Sequence, residues 1–203
     1  MRFSQHTTRR GITLIETIVS VSILVAAVTG PMVLASQSLK ASRDARAELI
    51  ATHLAEEAIE VVNSIRDNNS AHDTTSTRDL WMQNIIDRCG SAASCVVDVT
   101  DHSTGVWGVN ALIPISSCTL GYDCTQVYIY PDSALYRQYG SLLPSPWTPS
   151  QFKRTIGVIG IDDPTNPKRQ VRISTTVTYA GYGGNTHTIT ISEDLYNWFP
   201  ALN

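Results

Sequence analysis

The sequence has no broad basic footprint. Its 203 residues carry 15 Lys and Arg against 18 Asp and Glu, a formal net charge of −3. Arg2, Arg9 and Arg10 supply three of those bases, so removal of the first eleven residues leaves 12 bases against 18 acids and a net charge of −6. Nucleic-acid binders concentrate positive charge on one surface. The sole local support for that class is the set Lys153, Arg154, Lys168, Arg169 and Arg172, which has the composition of a solvated sheet face. Enzyme motifs are missing as well: there is no G-x-S-x-G elbow, no P-loop and no dinucleotide fingerprint. His53-x-x-Glu56-Glu57 has one histidine where a zinc-binding helix needs two, so it reads as a solvated helix face. Asp162-Asp163-Pro164-Thr165-Asn166-Pro167 contains oxygen donors suited to Ca2+. It lacks the ligand spacing of a calcium loop, and Asp, Asn and Pro are what a turn between strands requires. No catalytic residue, cofactor or metal site is expected, and there is no internal repeat or long low-complexity linker.

The length accommodates one membrane segment and one modest domain. The four cysteines, Cys89, Cys95, Cys118 and Cys124, form two Cys-x5-Cys pairs in the C-terminal part. Zinc pairs sit closer together, and no histidine is near either pair. Free or buried thiols are the bland alternative. An even number behind an export segment reads as a disulfide framework in an oxidising compartment, and adjacent pairing, Cys89 with Cys95 and Cys118 with Cys124, is the first of three possible connectivities.

From Ile12 to Ala35 the sequence ITLIETIVSVSILVAAVTGPMVLA holds 24 residues with one charge, Glu16. As a helix at ~1.5 Å per residue it is roughly 36 Å long, enough for a hydrocarbon core of about 30 Å. Arg2, Arg9 and Arg10 precede it, which predicts a cytoplasmic N-terminus and an exported C-terminal part. A secretory signal is cleaved after its apolar region, whereas the candidate cleavage residue here, Gly11, comes before it. Cutting there leaves the apolar helix on the mature chain. A carboxylate near the bilayer centre costs about 2.5–3.5 kcal/mol. Glu16 lies one turn into the segment and can be a snorkelling or protonated acid, or it can pair with the new α-amine of Ile12 on a neighbouring subunit. Gly30-Pro31 predicts a kink or melted stretch inside the run.

Gly11-Ile12-Thr13-Leu14-Ile15-Glu16, behind a basic leader and ahead of an apolar run, resembles the type III signal of type IV pilins and type II secretion pseudopilins. The resemblance implies that a prepilin peptidase cuts after Gly11, that Ile12 becomes an N-methylated terminus, and that Glu16, the fifth mature residue, neutralises a neighbour's amine. It also implies local unwinding at Gly30-Pro31 during filament packing. Ile12 departs from the Phe more usual in the family but keeps its apolar character. LAEEAIEVVNSIRD, from Leu54 to Asp67, is similar to minor pilins and pseudopilins of the PilV or GspI kind.

Beyond Ala35 the helix pattern becomes amphipathic, with Ile50, Leu54, Ala58, Val61 and Ile65 at three- and four-residue steps. One helix from Ile12 to Ile65 is expected, ending at Asp67-Asn68-Asn69-Ser70, followed by a loop to Thr77 and a short helix over Arg78 to Arg88. β-like runs cover Cys95–Val99, Gln126–Tyr130, Phe152–Ile161, Gln170–Ala180 and Thr186–Leu195. The glycines of AGYGGN favour a hairpin between the last two, and Tyr196-Asn197-Trp198-Phe199 reads as an aromatic plug on the sheet.

The expected fold class is α+β, with a long N-terminal helix packed on a small antiparallel sheet, as in the pilin fold. Its parts are a leader over 1–11 that is removed, a transmembrane and polymerisation helix over 12–35, an amphipathic half over 36–66 and an extracytoplasmic β-rich domain over 67–203. The expected role is a structural subunit of a pilus-like or secretion filament rooted in a bacterial inner membrane. The partners implied are other pilin or pseudopilin subunits, the prepilin peptidase, the membrane and an assembly platform with its own ATPase. The alternatives are a single-pass surface adhesin that never polymerises and a DNA-uptake pilus subunit.

Overall fold

The computed structural model describes residues 11, 13–74, 80–90, 94–99, 108–133, 135–141, 145–161 and 169–197. Among the described residues the chain is of the α+β class: one long helix and a small one, and an antiparallel sheet of seven strands. It divides into two units, Met1–Asp44 and Ala45–Asn203. The first contains the N-terminal part of helix α1, Leu14–His72. By length and composition this part is able to cross a membrane. Its apolar side chains, from Leu14 to Leu39, are exposed on every face.

In the second unit the buried side chains of α1 are Ala47, Ala51, Leu54, Ala55, Ala58, Ile59, Val61, Val62 and Ile65. They recur at three- and four-residue steps and so form one stripe. This stripe begins at Ala47, just after the division at Asp44. Ala47, Ala51 and Ala55 lie against the large side chains Phe152 and Tyr179. Further along, Val61, Val62 and Ile65 pack with Trp81, Met82, Ile156 and Ile173. Small residues against aromatic ones, then branched ones against aliphatics, keep the helix close to the sheet along its length.

The sheet is built on β5, Thr148–Gly160. One edge of β5 pairs with β6, Gln170–Ala180, which pairs in turn with β7, Thr186–Tyr196. The other edge is shared by β1, Cys95–Val97, and β3, Gln126–Ile129. Beyond them lie β2, Leu112–Pro114, and β4, Tyr136–Arg137. Phe152, Arg154, Ile156 and Val158 on β5 and Val171, Ile173, Thr175, Val177 and Tyr179 on β6 are buried, following the period of two that a one-sided sheet requires. The opposite face is polar and bears the cross-strand pairs Arg172–Asp194, Ser174–Ser192 and Thr176–Thr190.

Several boundaries differ from the sequence expectation. Helix α1 does not stop at Asp67-Asn68-Asn69-Ser70 but continues to His72. Asn69 donates its Nδ2 to the carbonyls of Trp81 (3.3 Å) and Gln83 (3.1 Å), and Ser70 is buried. Tertiary bonds thus hold helical a stretch whose composition favours a turn. The described part of the expected short helix is a 3-10 turn at Leu80–Met82 and α2, Ile85–Cys89, separated by Asn84 at φ 63°. Between β6 and β7 the hairpin forms, and its turn requires left-handed backbone at Gly183 (φ 104°) and Gly184 (φ 83°). The 162–168 segment, Arg78 and the Trp198-Phe199 end of the aromatic plug lie outside the described residues.

Thr175 sits on the buried face of β6, and its hydroxyl has no hydrogen-bond partner among the described residues. An unsatisfied buried hydroxyl costs about 1–3 kcal/mol, so Thr175→Val, which keeps the shape, is expected to stabilise the fold by about 1 kcal/mol. A urea denaturation midpoint that is unchanged or lower in the variant would contradict this.

Candidate assembly site

From Leu14 to Ser36 the polar side chains of α1 are, with one exception, satisfied within the helix. Thr17 donates to the Leu14 carbonyl (2.7 Å), Ser20 to that of Glu16 (2.7 Å), Ser22 to that of Ile18 (2.8 Å), Thr29 to that of Ala26 (3.4 Å) and Ser36 to that of Met32 (2.7 Å). This back-bonding lowers the cost of hydroxyls in an apolar surrounding. Glu16 is the exception. It lies in the first turn of α1, exposed, with no side-chain partner among the described residues. Its backbone N–H is taken by the Thr13 carbonyl (3.0 Å), which also accepts from Thr17 (3.2 Å).

Gly11 is exposed and outside any helix. Ile12 lies outside the described residues, so the amine that cleavage would create is not seen beside Glu16. The acid at an N-terminal first turn is favoured by the helix dipole, a small contribution beside the cost of carrying it into a bilayer. Gly30 and Pro31 are both helical in this chain. Pro31 has no N–H to offer the Ala27 carbonyl, and the rest of the ladder carries the helix past that single missing bond. The helix therefore runs on through Gly30-Pro31, where a melted stretch was expected.

In the globular unit the polar centre is Arg154, a buried guanidinium on β5. Its Nε donates to Gln138 Oε1 (2.8 Å), one terminal nitrogen to the Leu54 carbonyl and to Glu57 Oε2 (both 2.8 Å), and the other to the Val97 carbonyl (3.1 Å). Gln138 is buried too, and its Nε2 donates to the carbonyls of Arg154 (2.9 Å) and Thr125 (2.8 Å). One side chain therefore ties α1, β5, the end of β1 and the chain after β4. Burial pushes the Arg154 guanidinium below its ordinary pKa, and Glu57 opposes that shift. A guanidinium nonetheless remains charged at any ordinary pH. Nearby, Arg137 clamps the buried Asp98 with its Nε (3.1 and 3.2 Å) and a terminal nitrogen (2.8 Å).

This arrangement takes Arg154 out of the basic strip. Arg154 shares the parity of Phe152 and Ile156 and points into the core, away from Lys153. Lys153 pairs with Asp123 (2.8 Å), whose carboxyl is held below the usual range by hydrogen bonds from Lys153 and then Thr125. Arg172 is clamped by Asp194 at 2.7 and 2.9 Å. Lys168 lies outside the described residues. The His53 cluster splits likewise: Glu57 serves Arg154, while His53 Nδ1 lies 3.3 Å from Glu56 on the surface. No group of three or more metal-ligating side chains occurs among the described residues.

Both disulfides are adjacent pairs, Cys89–Cys95 and Cys118–Cys124. The first joins the end of α2 to the start of β1, and the second closes the loop before β3. Arg154, Gln138, Asp98 and Arg137 were not singled out as a network by sequence. Alternation along β5 carried a signal for Arg154 alone, because it falls in step with core residues.

Comparison with protein-family models, characterised proteins and solved structures returns no match.

Proposed function

We propose that the chain is a type IV pilin-like structural subunit of the minor-pilin or pseudopilin kind, made with a short leader that a prepilin peptidase removes after Gly11. The observation that carries this reading is the state of Glu16. It is the one charged side chain in the helical stretch from Leu14 to Ser36, whose five hydroxyl groups are bonded internally and whose apolar side chains are exposed all round. A surface of that kind needs lipid or other helices around it. An acid within it needs a cation, and cleavage after Gly11 would create one at Ile12.

In this reading the N-terminus stays on the cytoplasmic side, as Arg2, Arg9 and Arg10 favour, and the globular unit lies outside the cytoplasm, where its two disulfides are stable. The apolar helix first holds the subunit in the inner membrane as a single span. On assembly it exchanges lipid for neighbouring helices, and the Ile12 amine of one subunit meets Glu16 of the next. The β-sheet unit is then displayed along or at the end of the filament. Partners are other subunits, the peptidase and an assembly platform. An adhesin that never polymerised would have no use for a cut that leaves the apolar helix in place.

Co-expression with and without a prepilin peptidase tests the reading. With the peptidase, intact mass should place the N-terminus at a methylated Ile12, and Gly11→Val should block the conversion. A chain that keeps residues 1–11 in the presence of an active peptidase would overturn it.

A further inference from the structure

An open cleft of about 440 Å3 lies in the globular unit where α1 passes β4. Ile50, Leu54 and Tyr136, all buried or half-buried, give it an apolar floor, and His53, Glu56, Glu57 and Glu60 complete its lining. Glu57 is already bonded to Arg154, and Glu56 lies beside His53. Glu60 is exposed and has no partner among the described residues. Arg46, also exposed on α1 and also without a partner among the described residues, is fourteen positions earlier. Fourteen residues is close to four turns, so Arg46 and Glu60 lie near the same helix face, about 21 Å apart along the axis. The spacing repeats: Leu39, Arg43 and Arg46 stand at i, i+4 and i+7, and His53, Glu57 and Glu60 stand at the same intervals fourteen residues on. Leu39 is 63% exposed, an apolar side chain of the kind the cleft floor would take.

We propose that this cleft receives the Leu39–Arg46 stretch of a second copy of the chain, with Arg46 of one copy paired to Glu60 of the other. The inference rests on the filament-subunit reading and names a contact within it. Two parallel helices that meet through one and the same face are related by about a half turn around an axis between them. Adding a shift of about 21 Å along that axis makes the operation a screw. Such a contact is heterologous: each copy offers its basic stretch to one neighbour and its acidic cleft to another, and the series stays open. A closed dimer cannot use it. An exposed ion pair is worth little by itself, but the apolar floor removes water from this one, and close interfacial charge pairs couple strongly.

A charge swap provides the test, in full-length protein recovered as sedimented polymer beside a Glu16→Gln control. Arg46→Glu alone and Glu60→Arg alone should each lower recovery about tenfold, and the Arg46→Glu/Glu60→Arg double variant should restore it to within about threefold of the parent. Both positions are exposed, and intact disulfides on a non-reducing gel report folding. As a second readout, Arg46→Cys and Glu60→Cys copies mixed in one polymer should cross-link to each other, and neither should cross-link when assembled alone. If the single reversals leave recovery unchanged while Glu16→Gln abolishes it, the cleft contact is wrong and the filament reading stands. Single losses that the double variant does not restore would mean a different subunit fills the cleft, which also overturns the proposal. If Glu16→Gln is harmless too, both fail.

Discussion

Glu16→Gln is expected to lower the recovery of this protein in assembled polymer by about a hundredfold or more, with cleavage after Gly11 and membrane insertion unaffected. Removing one partner of a desolvated ion pair costs about 3–5 kcal/mol, because the other charge remains buried and unpaired, and ~3 kcal/mol is more than a hundredfold in an equilibrium. Gln keeps the size of Glu16 and its ability to accept a hydrogen bond, so packing is not the variable. The variant should insert at least as readily as the parent, since an uncharged amide costs less in lipid than a carboxylate. Loss of polymer with insertion intact would separate assembly from folding. A variant that assembles normally would show that the Ile12 amine has another counter-ion, or none.

Arg154→Ala should be the most damaging single change in the globular unit, costing about 3–5 kcal/mol of stability. It deprives Glu57, Gln138 and the carbonyls of Leu54 and Val97 of their donor at once. It also leaves a cavity between α1 and β5. Glu57→Gln provides the contrast. Its side chain is 37% exposed, so water compensates for part of the loss and a cost of about 1 kcal/mol is expected. Urea unfolding of the full chain in detergent measures both. Equal, small effects would mean that the guanidinium does not hold helix and sheet together.

The long strands were legible because their composition and their environment agree. β6 was read as Gln170–Ala180 and is Gln170–Ala180: Val171, Ile173, Val177 and Tyr179 alternate with polar residues on a sheet that has one wet face. β5 begins at Thr148, four residues before the expected start. Pro149 and Ser150 look like a turn, but Pro149 stands opposite Tyr128, where β5 and β3 pair irregularly, and Ser150 donates to the Val127 carbonyl. β2 and β4, of three and two residues, have no pattern long enough to detect. They exist because distant strands offer them an edge.

The polar network divides in the same way. Arg154 was grouped with Lys153 as surface charge, although residues adjacent in a strand point to opposite faces. Period-two alternation with Phe152 and Ile156 would have placed it inside. Gln138 and Asp98 have no such marker. Gln138 follows a two-residue strand, and Asp98 is buried through its contact with Arg137, which lies 39 residues away. The membrane-capable helix was legible in its length and its apolar run, because those are matters of composition. Continuity of the helix through Gly30-Pro31 was not, since one proline leaves the outcome to the remaining hydrogen bonds.

The central claim is that Glu16 of one copy holds the terminal amine of another. A zero-length carbodiimide cross-link, applied to polymer assembled from a mixture of isotopically light and heavy chains, tests it most directly. The Lys153–Asp123 pair at 2.8 Å serves as an internal control that must react within single chains. The account predicts a peptide that joins the amino group of Ile12 to the Glu16 carboxyl and carries both labels. A sample in which the control pair is coupled while Ile12 and Glu16 are joined only within one label, or not at all, would contradict it.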